Sequence, residues 1–375
     1  MGSTDPKKKT GKKRMTKEER AKKKRNRIIL IAVEVFVLLL MLIALYIVVL
    51  YGKIHHEDIK DEDIVINDGI DGENDINASD IATNEGLGGH MSGYRNVALF
   101  GVDARDKSLG KGNRTDTIIV ASINETTKEV KLVSVYRDTY LNIGNDSYNK
   151  ANSAYAKGGP LQAINMLNMN LDMNITDFVT VGFSGLADTI DALGGVEIDV
   201  DESEINHLNN YQVETSKSLG KSYNKVTSTG LQTLDGIQAV SYCRIRYTAG
   251  DDFKRTERQR EVIQAILDKA KKANIATLNK AANTIFEEIS TSMTFTEITE
   301  LLTDVASYSI GETGGFPAEQ YRATGDVHGA SCVMSTDLTA DVLNLHQFLF
   351  GDVGDYQPSS EVQSIAAKVH SDTGK

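Results

Sequence analysis

The most continuous apolar run in the chain lies near its start, at residues 28–51, where almost every position is apolar. A helix rises about 1.5 Å per residue, so a run of this length spans roughly 36 Å. That distance is enough to cross the hydrocarbon core of a bilayer. No small-residue cleavage site follows the run, and we therefore predict an uncleaved transmembrane helix over residues 28–51.

Beyond residue 93 the apolar pattern switches repeatedly between the short period of strands and the longer period of helices. Apolar or alternating runs predict strands at residues 96–101, 117–123, 130–136, 178–182, 196–200 and 242–247, with a short pair near residues 321 and 331–334. Apolar residues three or four apart predict helices at residues 160–171, 184–193, 255–272, 277–289, 296–308 and 338–350. This alternation predicts an α/β fold: a single α/β/α sandwich domain with a central mixed sheet, preceded by the transmembrane helix.

Polar stretches without an apolar period separate this domain from the rest of the chain. Residues 52–93 are rich in Asp, Glu, Asn and Gly and predict an acidic stalk that holds the domain away from the membrane. Residues 94–351 then form the predicted folded domain. Residues 352–375 are polar and predict a flexible tail, and residues 1–27 predict a disordered basic one.

Charge is divided unevenly along the chain, although the net charge is −11. Residues 1–27 hold 13 Lys and Arg against 3 Asp and Glu, whereas residues 52–375 hold 28 against 48. Cations beside an apolar span stay on the cytoplasmic side, so we expect the tail in the cytoplasm and everything after residue 51 outside the cell. A basic tail also suits nucleic acid, but beside a membrane span we expect it to lie on the membrane surface, with no nucleic-acid partner.

The two cysteines, Cys243 and Cys332, are too sparse for a disulfide scaffold and do not have zinc-ligand spacing. An extracellular location permits one disulfide between the two predicted strands that carry them. Two free thiols are equally compatible with the sequence, because the adjacency of strands cannot be read from spacing.

A dense cluster of cations begins at Arg244, with 6 Lys and Arg in 17 residues. Arg244 and Arg246 are two apart in a predicted strand, so their side chains would share a face, where two guanidiniums repel unless an anion lies between them. Arg255, Arg258 and Gln259 share a face at the start of the predicted helix. Free backbone N–H groups at that helix start also favour an anion. The pattern predicts a socket for phosphate or pyrophosphate.

A solvated basic helix face, paired with Asp251, Asp252 and Glu257, is the alternative explanation of the same cations. Charged residues elsewhere favour the socket, because ligands of open α/β sheets collect at strand ends. Arg137 closes one predicted strand, and Lys150 precedes a helical segment. Nucleotide-binding glycine loops and the Gly-x-Ser-x-Gly sequence of serine hydrolases are absent from the chain.

Two aspartates mark a candidate metal site. Asp103 closes the first predicted strand and Asp116 opens the next, so the two carboxylates can meet at one edge of the sheet. Paired carboxylates beside phosphate suit a hard divalent ion such as Mg²⁺, with Mn²⁺ as a substitute. Ordinary turn-capping aspartates are the alternative, because Asp is common in loops.

Together these stretches resemble the successive motifs of the LytR-CpsA-Psr family. They occur in the family's order at residues 97–103, 113–117, 133–138, 150–159, 190–196, 234–239 and 244–259. The resemblance covers about residues 96–270, and it follows a basic tail and a single predicted span, as is usual in the family. Tyr136 stands where the family often has Pro, and Ala151 stands where a bulkier aliphatic residue is usual.

The resemblance implies a bacterial phosphotransferase that moves a glycopolymer, such as wall teichoic acid or capsular polysaccharide, from a polyprenyl pyrophosphate carrier to peptidoglycan as a phosphodiester. It also implies a single-pass protein of the cell membrane whose C-terminal domain is extracellular. Two other activities would use the same socket: a non-catalytic receptor for polyprenyl phosphates or wall precursors, and a polyprenyl-pyrophosphate hydrolase. The carrier's tail needs an apolar cavity, for which the predicted helices at residues 160–171 and 184–193 supply candidate walls.

By motif position, the resemblance also implies roles for individual residues. It implies metal coordination by Asp103 and Asp116, and acceptance of the proton of the attacking sugar hydroxyl by Asp252. Pyrophosphate contacts are implied for Arg114, Arg137, Lys150, Arg244, Arg246, Arg255 and Gln259. Asp252, Arg244 and Arg246 form the catalytic set that the resemblance implies.

Overall fold

The computed structural model describes residue 41 and residues 48–70, 89–104, 109–246 and 251–375. Lys53–Lys375 form one compact unit, which contains all the strands and helices named below. Among the described residues, no helix combines the length and apolar character that crossing a bilayer requires. The predicted basic tail and most of the predicted transmembrane span lie outside the described residues.

Thirteen strands occur among the described residues. In chain order they are β1 (His55–His56), β2 (Tyr94–Val102), β3 (Thr115–Asn124), β4 (Glu129–Val135), β5 (Tyr140–Asn142), β6 (Tyr148–Lys150), β7 (Asp177–Gly182), β8 (Val196–Val200), β9 (Gly230–Leu234), β10 (Ile289–Thr291), β11 (Ser309–Phe316), β12 (Arg322–Val327) and β13 (Ala330–Ser335). Seven of them form a central sheet in the order β1-β10-β7-β2-β3-β4-β11. Because β2 is parallel to β7 and antiparallel to β3, the predicted mixed sheet is confirmed.

Nine α-helices occur in the described part of the compact unit. They are α1 (Asn152–Leu171), α2 (Phe183–Leu193), α3 (Glu202–Leu219), α4 (Gly236–Cys243), α5 (Asp251–Lys272), α6 (Ile275–Phe286), α7 (Phe295–Thr303), α8 (Leu338–Phe350) and α9 (Ser360–Thr373). β8 and α8 have the predicted bounds. α1 begins eight residues before the predicted start, because the chain stays helical on both sides of a kink at Gly159, whose φ is 73°.

The two faces of the central sheet have different surroundings, since successive side chains of a strand point to opposite sides. Phe100, Val120 and Phe178 belong to the main core, which the sheet shares with α1 and α8. The neighbouring side chains Leu99 and Ile119 point to the other face and line a cavity. That second face is incompletely covered by helices, and this is where the candidate site lies.

The predicted strand at residues 242–247 is wrong. Residues up to Cys243 belong to α4, and Arg244 is its C-cap. A capping box starts this helix: Asp235 accepts from the backbone N–H of Gln238, and its own N–H donates to the Gln238 side chain. This helix-start signal outweighs the alternation of apolar residues that favoured a strand.

Residues 352–375 are not a loose tail, in contrast to the prediction. They contain α9, whose Val362, Ile365 and Val369 are buried in the main core. These apolar residues recur at helical spacing, but the polar composition of the stretch obscures that signal.

Asp172, buried just after α1, ties this C-terminal segment and part of the predicted stalk to the domain. Its carboxylate accepts hydrogen bonds from the Asn67 amide at 2.6 Å, the Tyr356 hydroxyl at 2.9 Å and the Ser359 N–H at 2.7 Å. These bonds compensate for burial of the carboxylate. Residues 53–70 therefore pack on the domain and do not form a free stalk.

Cys243 and Cys332 are both free and both buried. Of the two alternatives that the sequence leaves open, the structure contains the pair of thiols and no disulfide between them. Burial raises the pKa of the Cys243 thiol to about 12, so this thiol is unreactive at neutral pH.

A pair of histidines, of which His346 is buried, lies where α8 meets the end of α1. His346 Nε2 donates to the carbonyl oxygen of Leu171 at 2.8 Å, which leaves its Nδ1 to accept from His90 Nε2 at 2.7 Å. Burial, reinforced by His90, lowers the pKa of His346 to about 4. The core thus contains an imidazole that is neutral at physiological pH.

We expect His346 to make the fold sensitive to acid. Its ordinary pKa is 6.5, so below that pH the unfolded chain binds a proton that the folded chain excludes, and stability falls as the pH falls toward 4. From pH 7 to pH 4, the wild type should lose about 3 kcal/mol more unfolding free energy than His346→Gln, whose amide can still donate to Leu171. Urea unfolding at both pH values measures this difference.

Equal losses in the two proteins would contradict the assignment. Asp341, whose pKa burial raises to about 6, acts in the opposite direction. It is present in both proteins and therefore cancels in the comparison.

Candidate functional site

An apolar cavity of about 550 Å³ lies between the second face of the central sheet and helices α2, α5 and α6. The sheet contributes Leu99, Ile119, Val179 and Val181. The helices contribute Phe183, Leu186, Val262, Ile263, Ile266 and Ile285. Walls of this kind hold a hydrocarbon ligand but offer it no hydrogen bonds.

Charged side chains line the same cavity at the sheet edge where β2 and β7 end and β3 begins. They are Asp116, Arg137, Arg244, Arg246 and Arg255, together with the amide of Gln259. The structure thus brings five of the seven predicted pyrophosphate contacts to one end of the cavity. An apolar cavity with a cationic mouth fits a ligand that has an apolar tail and an anionic head.

A polar cleft of about 630 Å³ adjoins the apolar cavity. The other predicted site residues line it, namely Asp103, Arg114 and Lys150, together with Asp138. Asp116 and Arg137 line both spaces and form an ion pair with each other. The predicted pyrophosphate and metal residues therefore surround adjoining spaces, although they are far apart along the chain.

The first turn of α5 carries a bidentate ion pair. Arg255 Nη1 lies 2.9 Å from Asp252 Oδ1, and Arg255 Nη2 lies 3.1 Å from Asp252 Oδ2. Arg246 Nε lies 3.5 Å from the same carboxylate. Asp252 therefore fixes the direction of two guanidiniums. Acceptance of a proton by Asp252, as predicted, requires one of these contacts to open.

Arg255 is a buried cation with unused hydrogen-bonding capacity. Burial lowers its pKa to about 10, and the nearby Arg246 and Arg137 act in the same direction. Among the described residues, the Nε atoms of Arg255 and Arg137 and the side-chain oxygen of Gln259 have no hydrogen-bond partner. An anion in the mouth would supply acceptors for the two Nε–H groups.

Arg244 is held from two sides by residues that the sequence analysis did not identify. Its Nη1 lies 2.9 Å from Thr215 Oγ1, and its Nη2 lies 3.2 Å from Glu214 Oε2. Its guanidinium carbon lies 5.2 Å from the ring centroid of Phe183 and 5.6 Å from that of Tyr211. Three of these supports lie on α3, a helix that the mostly polar sequence did not predict.

Two sequence-based expectations about this site are wrong. Arg258 does not share the anion-binding face of α5, because its Nε pairs with Glu204 Oε1 on α3 at 2.7 Å. α1 does not form a wall of the apolar cavity, because it packs on the opposite face of the sheet, where Met166 and Leu167 are core residues. The other candidate wall is α2, and its residue Leu186 does line the cavity.

Asp103 and Asp116 line the same polar cleft, as the predicted metal site requires. One oxygen of Asp116 pairs with Arg137, and the other oxygen and the Asp103 carboxylate would be the ligands of a metal ion here. Mg²⁺ in proteins takes one or two carboxylates and completes its shell with phosphate and water, so this donor set fits. In the part of the chain that the structure describes, no cluster of three or more His, Cys, Asp or Glu side chains suits a metal.

Comparisons with known proteins agree with this architecture. A family model, the LytR_cpsA_psr family, matches residues 56–343. The polyisoprenyl-teichoic acid–peptidoglycan teichoic acid transferase TagU of Enterococcus faecalis is 32% identical over 232 residues, which cover 61% of this chain and 70% of TagU. The transferase of the same description named TagV, from Bacillus subtilis, is 30% identical over 193 residues, which cover 50% of this chain and only 47% of TagV.

A solved structure shows the same fold. It is the LytR-CPS2A-psr family protein YwtF (TagT) with bound octaprenyl pyrophosphate lipid. It is 22% identical to this chain, with a TM-score of 0.52, and the match covers 70% of this chain and 92% of that one. The central mixed sheet with helices on both faces is therefore shared.

We expect Arg258 to support the fold and Arg246 to be dispensable for it. Arg258→Met leaves Glu204 buried without its partner, which should lower the free energy of unfolding by about 3–5 kcal/mol. Arg246→Met removes a side chain that is 27% exposed and makes a long ion pair, so the loss should stay below about 1 kcal/mol. Urea unfolding of both variants provides the comparison. Similar losses would show that our division into structural and ligand-facing arginines is wrong.

Proposed function

This chain belongs to the LytR_cpsA_psr family, and on that premise we propose that it transfers a glycopolymer from a polyprenyl pyrophosphate carrier to peptidoglycan. The apolar cavity that ends among guanidiniums is the observation that carries the proposal. Relatives are named as transferases that link polyisoprenyl-borne teichoic acid to peptidoglycan. A protein of the same fold has octaprenyl pyrophosphate bound. Wall teichoic acid or a related glycopolymer is the proposed cargo.

The carrier's two parts match the two parts of the site. The polyprenyl tail would lie in the apolar cavity against Ile119, Val179 and Leu186, where burial of its methyl and methylene groups favours binding. The pyrophosphate would lie at the mouth, where Arg255 and Arg137 have unused donors. Charge-assisted hydrogen bonds to those donors orient the phosphates toward the polar cleft.

The proposed reaction is a phosphoryl transfer. The oxygen of a sugar hydroxyl on peptidoglycan bonds to the phosphorus that carries the polymer. The bond from that phosphorus to the bridging oxygen breaks, and polyprenyl phosphate leaves with the electron pair. Negative charge on the transferred oxygens is stabilised by guanidiniums, of which those of Arg255 and Arg137 are already held in place by carboxylates.

Asp252 is the proposed acceptor of the hydroxyl proton. Its contact with Arg246 is long, at 3.5 Å, whereas its contacts with Arg255 are short. A bound pyrophosphate would attract Arg246 more strongly than Asp252 does, since it carries more negative charge. That exchange would free one carboxylate oxygen for the hydroxyl and keep Arg255 in position.

Asp103 and Asp116 would hold Mg²⁺, or Mn²⁺ in its place, beside the phosphates. A divalent ion supplies additional positive charge to the phosphate oxygens. The ion pair between Asp116 and Arg137 keeps that carboxylate at the border between the polar cleft and the apolar cavity.

We expect Arg244→Ala and Asp116→Ala to lower the rate of transfer by about 100-fold or more, because the first removes a cation from the phosphate site and the second removes a proposed metal ligand and the partner of Arg137. The assay combines the full-length protein in detergent with lipid-linked glycopolymer, Mg²⁺ and peptidoglycan fragments, and measures linked glycan. Lys217→Ala, at an exposed cation on α3, is the control and should retain full activity.

The products of the same assay separate the competing activities. Linked glycan supports the transferase, whereas free phosphorylated glycan would indicate a hydrolase, and binding without any product would indicate a receptor. Full-rate transfer by either site variant would contradict the residue assignment.

We expect Val179→Phe to discriminate between carriers by tail length. The larger ring narrows the apolar cavity far from the phosphate contacts and should weaken octaprenyl pyrophosphate binding by about 10-fold or more. Geranyl pyrophosphate, which is too short to fill the cavity, should bind as it does to the wild type. Calorimetric titration of both ligands measures the effect. Equal weakening of both ligands would mean that the tail does not run along this sheet face.

A further inference from the structure

A second polar cleft, which we term the distal cleft, lies on the other side of α5 from the apolar cavity. Its volume is about 750 Å³, within the range of roughly 300–1,000 Å³ that is typical of ligand sites. Lys254, Glu257 and Arg260 of α5 line the distal cleft, whereas Arg255 and Gln259 line the apolar cavity. α5 thus separates two spaces with different linings.

Two buried charged side chains line the distal cleft, and one of them has an unused hydrogen-bond donor. Asp341 is 0% exposed, and its Oδ1 accepts from the Ala318 N–H at 3.1 Å. Arg260 is 8% exposed and donates to the Ser134 hydroxyl at 2.6 Å. The Asp341 carboxylate also faces the hydroxyl of Ser335. Within the described residues, Arg260 Nε has no hydrogen-bond partner. Buried polar atoms are seldom left unpaired, so this N–H group points to a ligand or to ordered water.

Two glycines of β11 let side chains that line the distal cleft pack closely on this strand. A Cβ atom on Gly314 would come within 3.4 Å of the Phe348 ring. A Cβ atom on Gly315 would collide with the hydroxyl of Tyr136. The Phe348 ring and the Tyr136 hydroxyl therefore lie directly against the strand and fix one boundary of the cleft.

Side chains in contact with one another form a wall of the distal cleft. The Arg322 guanidinium carbon lies 3.7 Å from the ring centroid of Phe253, and Arg322 Nη1 donates to the Tyr136 hydroxyl at 2.8 Å. Phe253 directly follows Asp252, and Tyr136 directly precedes Arg137. This wall of the distal cleft therefore contains the direct chain neighbours of two proposed site residues.

The lining of the distal cleft suits an uncharged, hydroxyl-rich ligand. Charges of both signs balance in it: Lys254, Arg260 and Arg322 against Glu257, Glu319 and Asp341. Such a lining gives little net attraction to a polyanion, but it offers many hydrogen-bond donors and acceptors. At the rim, the side-chain amides of Gln320 and Asn344 lie 3.1 Å apart. Amides of this kind bind hydroxyl and acetamido groups.

We propose that the distal cleft holds the acceptor, a stretch of N-acetylated amino-sugar chain from peptidoglycan. This inference rests on the proposed function. The sugar chain lies along the wall of Tyr136 and Phe253, and its reactive hydroxyl reaches Asp252 over the first turn of α5. The lipid tail of the donor and the body of the acceptor then occupy opposite sides of one helix.

The test measures binding of two soluble probes to the full-length protein in detergent: peptidoglycan glycan chains freed of their peptide stems, and the stem peptide alone. Asn344→Trp fills the distal cleft from α8, and Asn210→Trp adds the same side chain at an exposed position of α3 outside it. We expect glycan binding to be about 10-fold weaker or more in Asn344→Trp and unchanged in Asn210→Trp. Octaprenyl pyrophosphate should bind all three proteins alike.

In the transfer assay, Asn344→Trp should raise KM for the glycan acceptor by the same factor and leave kcat nearly unchanged. Gln320→Trp, which fills the cleft from its exposed rim, is expected to behave identically and serves if Asn344→Trp does not fold. Three results would overturn the inference. They are equal glycan binding by the wild type and both cleft variants, no glycan binding by the wild type, and binding of the stem peptide in the distal cleft. Failure of the proposed function looks different: glycan and donor both bind, but no linked product forms.

Discussion

Three buried arginines hold α5 above the central sheet, and both spaces beside the helix depend on them. Arg255 reaches the backbone of β3, Arg258 pairs with a glutamate of α3, and Arg260 donates to Ser134 on β4. A guanidinium removed from water requires partners for its charge and its N–H groups, so each contact is directional. Further along α5, Val262, Ile263 and Ile266 form part of the apolar cavity wall. The same helix thus contributes directional polar contacts at its start and apolar surface beyond them.

At the mouth of the apolar cavity, oppositely charged side chains hold one another in position without a ligand. Arg137 pairs with Asp116, and Lys150 Nζ lies 3.2 Å from Asp138 Oδ1. Side-chain directions are therefore set in advance, which lowers the entropy lost when an anion binds. The same pairing explains how a site rich in cations exists in a strongly acidic chain, because the acids that surround the cations keep them from repelling one another.

The fold class and the cationic cluster could be predicted from the sequence, because both leave local signals. Strand and helix periods identify the sheet, and β8 and α8 have the predicted bounds. The strand predicted around Cys243 is wrong, because apolar residues in a short buried helix can alternate much as they do in a strand. Only the helix cap at Asp235 distinguishes the helix from a strand here. The opposite directions of Arg255 and Arg258 could not be predicted either. The two arginines are three residues apart, a spacing that places them on one face of a helix. Only the position of α3, which carries the partner of Arg258, gives them different directions.

The contact between Tyr136 and Gly315 ties together two positions that are far apart in the chain. Because the tyrosine hydroxyl occupies the space where a side chain at position 315 would begin, no larger residue fits there while the tyrosine remains. Each residue thus restricts the mutations that its partner can tolerate, and their substitution effects will be epistatic. Related sequences with a smaller residue at the first position are free to carry a side chain at the second, so the pair should covary across lineages.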